Sequence, residues 1–292
     1  MFSSMTVFAA GNNLEDTSCD HPEVRVHSEA FPDAYIITEL NDSVIFPVSE
    51  ENLYNLGSVK ATVFIEEEYA LINDEVTIVS SRLLSEEEVM AIGVENFECY
   101  QIPSREELLA RSAYESRGKL TIELNAYYEY YGDNGVKCFV TGTGKWLTLG
   151  LSTSSEYPAV GEDFIGVTWG GDFQATRADG HVDWNISLSD LPDITLARAF
   201  PNSGRVWSFF EYWASYNGPQ RAYVKKVTAS LTLDKANMDG GGNKTEVCLQ
   251  YIHTYQDVQV SVSGNDEGGM GFTVTGTDKQ WTISCVMNGL PY

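Results

Sequence analysis

Four histidines, His21, His27, His181 and His253, are the scarcest of the chain's acid-base side chains. None stands in a His-x-His, His-x-x-x-His or His-Glu-x-x-His spacing, the patterns that bring two imidazoles onto one metal. Asp179, His181 and Asp183 alternate, and on a strand that period puts all three side chains on one face. Asp-Gly-His-Val-Asp is also an ordinary turn leading into a strand, and turn chemistry accounts for the same residues. No metal centre is expected. The five cysteines (Cys19, Cys99, Cys138, Cys248, Cys285) form no Cys-x-x-Cys, which excludes a zinc knuckle and a thioredoxin-like motif. Cys138, Cys248 and Cys285 fall in strand-like runs; one disulfide among them and buried free thiols are both open readings. There is no Gly-x-Ser-x-Gly elbow and no phosphate-binding glycine loop, so neither that hydrolase class nor nucleotide binding is supported. A carboxylate pair for glycoside hydrolysis can always be picked from 42 acidic residues, so finding one decides nothing. The Glu66–Glu68 and Glu86–Glu88 runs read as solvated strand-end and helix-start charges. The expectation is a protein without enzymatic activity and without a cofactor.

Aromatic residues carry the remaining signal. In Tyr127-Tyr-Glu-Tyr-Tyr131 the alternation groups Tyr128 and Tyr130 with Ile122, Leu124 and Ala126 on an inward face. It groups Tyr127 and Tyr131 with Thr121, Glu123 and Asn125 on a wet one. The run from Arg205 to Trp213 is aromatic on both faces, as a fully covered strand or a sticky platform would be. Tyr and Trp give large contact area at low entropic cost. Tyr127, Tyr131 and Trp213, with Arg205 opening the second run, are the candidate binding residues. Trp146, Trp169, Trp207 and Trp281 read as core.

The elements that must position these residues are mainly strands. Val59 to Leu71 and Val76 to Leu84 flank Ile72-Asn73-Asp74, a hairpin signal. Ser85-Glu-Glu-Glu88 and Ser104-Arg-Glu-Glu107 fit the capping box and predict two short helices, the first stopped by Gly93. From Gly118 onward the pattern is strand-like, punctuated by Gly, Asn, Asp and Pro, including Asp179-Gly180. The fold class expected is mainly β: a lead-in over 1–29, a small acidic α+β unit over 30–117, and an antiparallel β-sandwich region over 118–292, as one sandwich or two. Phe139 to Leu149 and Phe272 to Ile283 share Phe, Thr-Gly-Thr, Lys and Trp, each after a strand and a tight turn, and read as a duplicated hairpin.

Composition narrows the partners. The net charge of −24 disfavours nucleic acid and anionic lipid. The acidity is uneven: residues 1–117 hold 23 acidic against six basic side chains, which supports the boundary near 117. No apolar run reaches the roughly 20 residues of a membrane span. Residues 1–10 end in Val7, Ala9 and Ala10 and resemble the tail of a secretory signal peptide, without its basic start. The signal-like start, acidic N-terminal unit and tyrosine-rich β region resemble secreted or surface proteins of Gram-positive bacteria, a likeness of texture over the whole chain. The resemblance implies an extracellular protein that binds a host glycoprotein, an immunoglobulin or a glycan. The first expectation is a secreted, non-enzymatic protein with a protein ligand. A carbohydrate-binding module or carbohydrate-active enzyme is the alternative. A β-rich toxin or structural component is the third, with 221–263 the candidate insertion hairpin.

Overall fold

A computed structural model describes residues 23–41, 53–97, 100–101, 103–111, 113–132, 134–147, 149–150, 161–187, 191–214, 221–238, 243–255, 261–264 and 270–291. In chain order the strands are β1 (Val24–His27), β2 (Ile36–Asn41), β3 (Leu53–Ile72), β4 (Glu75–Leu83), β5 (Tyr100–Gln101), β6 (Tyr114–Tyr131), β7 (Gly135–Leu147), β8 (Leu149–Gly150) and β9 (Glu162–Trp169). They continue as β10 (Gln174–Trp184), β11 (Thr195–Phe200), β12 (Gly204–Phe210), β13 (Tyr212–Ala214), β14 (Arg221–Lys235), β15 (Lys244–Thr254), β16 (Ser261–Gly264), β17 (Phe272–Thr275) and β18 (Gln280–Pro291). Two helices, α1 (Glu86–Ile92) and α2 (Arg105–Ala110), and a 3-10 turn at Val94–Phe97 complete the described elements.

Two antiparallel sheets face each other. One runs β1-β18-β15-β9-β12-β11. The other runs β10-β14-β7-β6-β3-β2, with β4 added beside β3 and β13 beside β14. Period-2 alternation explains the core between them. Val59, Ala61, Val63 and Ile65 of β3 and Leu120, Ile122, Leu124 and Ala126 of β6 meet Ile165 and Val167 of β9 and Leu249 and Tyr251 of β15 in one buried cluster. The fold is therefore mainly β and antiparallel, as the alternation predicts, and it is a single sandwich.

The boundary expected near residue 117 falls inside β6, and the two sides of it share one sheet. β3 pairs β6 from Leu53↔Glu129 to Tyr69↔Tyr114, while β1 joins the opposite sheet through β18. The two helices form where the capping boxes place them, with Ser85 and Ser104 each accepting from the third helical N–H and the Glu88 and Glu107 side chains reaching back. α1 and the 3-10 turn cover Phe64 and Leu84 on the outside of the larger sheet with Val89 and Phe97. On the other outer face, β16 and β17 cover Phe164, Val206 and Ile252 with Phe272 and Val274. The Asn73-Asp74 turn has both φ values positive, 53° and 69°, the conformation of a two-residue hairpin loop.

Several glycines read as punctuation are interior strand positions. Gly142 and Gly144 lie within β7, where a Cβ would come within 2.4 Å of Leu249 and 2.7 Å of Tyr251 across the core. Gly180 lies within β10 under Trp207 and Ile194. Close approach, not a turn, is what these glycines supply.

The duplicated-hairpin reading does not survive. In the first copy the phrase is one continuous strand, β7. In the second it leaves β17, passes Gly276 with φ 114°, and enters β18 in a different sheet. Trp146 and Trp281 are both buried but come from opposite sheets and meet edge to face, 6.3 Å between centroids. Likewise β14 and β15 belong to opposite sheets and do not pair with each other. Cys138, Cys248 and Cys285 are buried free thiols. No helix among the described residues is long and apolar enough to cross a membrane.

Candidate functional site

Two places concentrate side chains with work to do. The first is the end of the larger sheet at the β6–β7 turn. Tyr128 and Tyr130 continue the inward row of Ile122, Leu124 and Ala126, and Tyr54 faces Tyr128 across the β3–β6 register. The core cover runs out here. Tyr128 is half-buried, whereas Tyr54 and Tyr130 are 48% and 40% exposed. The three rings hold one another: Tyr54 stacks on Tyr128 at 5.1 Å, and Tyr130 meets both edge-on at 5.4 Å. Burial and the neighbouring Tyr130 push the Tyr128 phenol up to about 12.

On the outer face of the same strand, Tyr127 is half-buried and stacks on Phe139 at 4.6 Å. Tyr131 is 37% exposed, with its hydroxyl on Asp234 and the Lys137 ammonium 5.3 Å above its ring. Its hydrogen bond to Asp234, then burial, raises its phenol pKa. Thus Tyr127 and Tyr131 share a face as expected, and the exposed cluster beside them is built on Tyr54, which the sequence reading did not single out. Arg205 belongs to the opposite sheet. Its guanidinium lies 5.8 Å over the Trp169 ring and donates to the carbonyls of Phe200 and Gly204 at 2.9 and 2.7 Å, bracing the β11–β12 turn. Trp213 lies in β13, paired with Ala222; its side chain is outside the described residues.

The second place lies inside the sandwich. Asp163 on β9, His253 on β15, Glu67 on β3 and Glu211 between β12 and β13 are all buried. His253 Nδ1 sits 3.1 Å from Asp163 Oδ1 and 3.7 Å from Glu211 Oε1, and its Nε2 sits 3.1 Å from Glu67 Oε1. The Tyr251 hydroxyl accepts from Trp146 Nε1 at 3.0 Å and has one proton for two neighbours, Asp163 Oδ2 at 2.6 Å and Glu211 Oε1 at 3.1 Å. Glu67 receives Tyr69 at 2.8 Å and Ser81 at 3.0 Å, and Ser81 in turn accepts from Trp281 at 2.8 Å. Thr254 N–H donates to Asp163 at 2.9 Å.

Burial, and then the Glu211 charge, raises the Asp163 carboxyl well above its ordinary range. Burial alone would lower the His253 pKa; the Asp163 and Glu211 carboxylates outweigh it and raise the imidazole well above its usual value. Asp163, Glu211 and His253 each present a donor atom within 4.8 Å of the others, and these are the residues that could hold a cation.

This cluster is not among the candidates expected from sequence, and Glu67, expected to be a solvated strand-end charge, is 1% exposed. The signal was phase. Glu67 follows Val63 and Ile65 at period 2, His253 follows Leu249 and Tyr251, and Asp163 precedes Ile165 and Val167. A titratable residue on the inward phase of a strand is a buried charge that needs partners. The metal-like alternation singled out instead is exposed on β10. Asp179 is taken by Arg177, and His181 lies 3.3 Å from Asp183 and 3.6 Å from Asp193.

An open groove of about 420 Å³ lies between the β16–β17 cover and β15 and β18, lined by Glu29, Gln250, Ile252, Phe272 and Gln280. Trp281 also lines it, and packs 5.0 Å from His253 between ring centroids. No family model, curated protein or solved structure matches the chain.

Proposed function

We propose that the chain is a secreted, non-enzymatic binding protein that holds a protein ligand against the tyrosine end of the larger sheet. The observation that carries this reading is the Tyr54–Tyr128–Tyr130 cluster: an inward-facing row that continues past its cover and leaves two rings 48% and 40% exposed. Rings that already hold one another lose little freedom on docking, so their burial goes into affinity. Tyr131, with Lys137 and Asp234, lies on the outer face of the same strand end and not in the cluster itself. The reading as a non-enzyme draws support from the interior cluster: Asp163, Glu211 and His253 are 0–3% exposed, closed to a substrate.

The test is binding of the purified protein to immobilised immunoglobulin and host serum glycoproteins, with a glycan array in parallel. A buried tyrosine anchor contributes about 2 kcal/mol or more, so Tyr54→Ala and Tyr130→Ala should each weaken binding at least roughly 30-fold with the melting temperature nearly kept. Binding to free glycans alone would move the protein to the carbohydrate-binding class. Full affinity in both variants would remove the tyrosine end as the site.

A further inference from the structure

We propose that Asp163, Glu211 and His253 form a closed site for one first-row divalent cation, zinc in the first instance, inside the sandwich. The donor spacing is the first argument. His253 Nδ1 lies 3.1 Å from Asp163 Oδ1 and 3.7 Å from Glu211 Oε1. Ligands on a tetrahedral ion with bonds of about 2.0–2.2 Å stand about 3.3–3.6 Å apart; the two distances from His253 bracket that range, and all three donor atoms lie within 4.8 Å of one another. The Tyr251 hydroxyl, 2.6 Å from Asp163 and 3.1 Å from Glu211, borders the same space.

The far side of the ring points the same way, independently of that spacing. His253 Nε2 faces Glu67 Oε1 at 3.1 Å, and Glu67 is fixed by Tyr69 and Ser81. A metal-bound histidine regularly gives its other N–H to a carboxylate, which sets the tautomer and turns the free lone pair to the metal. Here that tautomer aims the Nδ1 lone pair at Asp163 and Glu211. Glu67 comes from the larger sheet and His253 from the smaller, so the ion would be oriented from both.

Charge is the third. One imidazole meets three carboxyl groups in a water-poor interior, an acidic donor set to which a dication would supply positive charge. An imidazole with carboxylates suits zinc and its first-row neighbours better than calcium or magnesium, which favour oxygen alone.

The experiment strips the protein with a chelator during unfolding, refolds it with or without zinc chloride, measures bound metal after free metal is removed, and measures thermal stability with free zinc held above Kd. The result expected is one zinc per chain and a melting temperature higher by about 5 °C or more at 100-fold excess over Kd. His253→Gln and Glu211→Gln should abolish the rise; His181→Ala, which removes the exposed histidine on β10, should keep it. If the His253 and Glu211 variants do not fold, cobalt refolded into the unaltered protein must show the visible bands of a four-coordinate nitrogen and oxygen site. No bound zinc after refolding, a rise that persists in His253→Gln or disappears in His181→Ala, or a six-coordinate cobalt spectrum would overturn the proposal. So would a response to calcium but not zinc.

Discussion

Three consecutive glutamates show how much one strand position decides. Glu66 points outward and sits between Arg82 and Arg117, at 2.7 and 3.0 Å; it is 14% exposed, but the arginines are about one-third exposed, so water partly screens the pairs. Glu68 is exposed. Glu67, between them, is 1% exposed and accepts from Tyr69 and Ser81 beside His253. Removing one member of a buried charged network leaves its partners unsatisfied, which costs about 3–5 kcal/mol, against about 1 kcal/mol or less for a screened surface pair. Glu67→Ala should therefore lower the urea midpoint by several times as much as Glu66→Ala, at unchanged slope. Equal losses would mean that the strand is not in this phase. All the information needed to place Glu67 was local, since Val63, Ile65 and Tyr69 share its period. What the sequence could not supply was its long-range partner His253, which lies 186 positions further along the chain.

At the scale of elements, local signals were reliable where the physics is local. Both capping boxes form as the Ser-x-x-Glu pattern requires, because each bond in them spans three residues. The Ser85 backbone N–H, followed by Arg82 and the Ser85 hydroxyl, holds the Glu88 carboxyl below its ordinary pKa. A carboxyl whose pKa is lower folded than unfolded adds stability above the unfolded value near 4.3, and loses it as pH falls through the folded value. Ser85→Ala should cost about 1 kcal/mol at neutral pH. The gap between variant and parent should narrow as pH falls from about 5 toward 3. A gap that widens on acidification would contradict the capping role of Glu88. Glycine was the element signal that misled. Gly142, Gly144 and Gly180 look like breaks in the chain, but each makes room for a large side chain from the opposing sheet. No local pattern distinguishes those two uses of glycine.

The whole molecule is a pairing of distant segments, and this is the level at which the sequence was least legible. Alternation identified strands and fold class, but it carries no record of which strand lies beside which. β3 became the neighbour of β6, and the repeated Trp-bearing phrase was split between sheets. The charge step near residue 117 looked like a domain edge because surface composition is visible in sequence and shared core is not. The structure makes the two sides interdependent. Without β3, β6 loses its partner along Tyr114 to Glu129, and the inward row Leu120, Ile122, Leu124 and Ala126 ends at an unpaired edge. A fragment covering 118–292 should not fold cooperatively alone, and should aggregate through that edge. The full chain, in contrast, should unfold through the sandwich in one transition, with tryptophan fluorescence and far-ultraviolet circular dichroism superimposing, because Trp146, Trp169, Trp207 and Trp281 report from one core to which both halves contribute. A fragment 118–292 that melts cooperatively near the temperature of the full chain would show that the N-terminal strands are an accessory layer, and that the core is complete without Val59, Ala61, Val63 and Ile65.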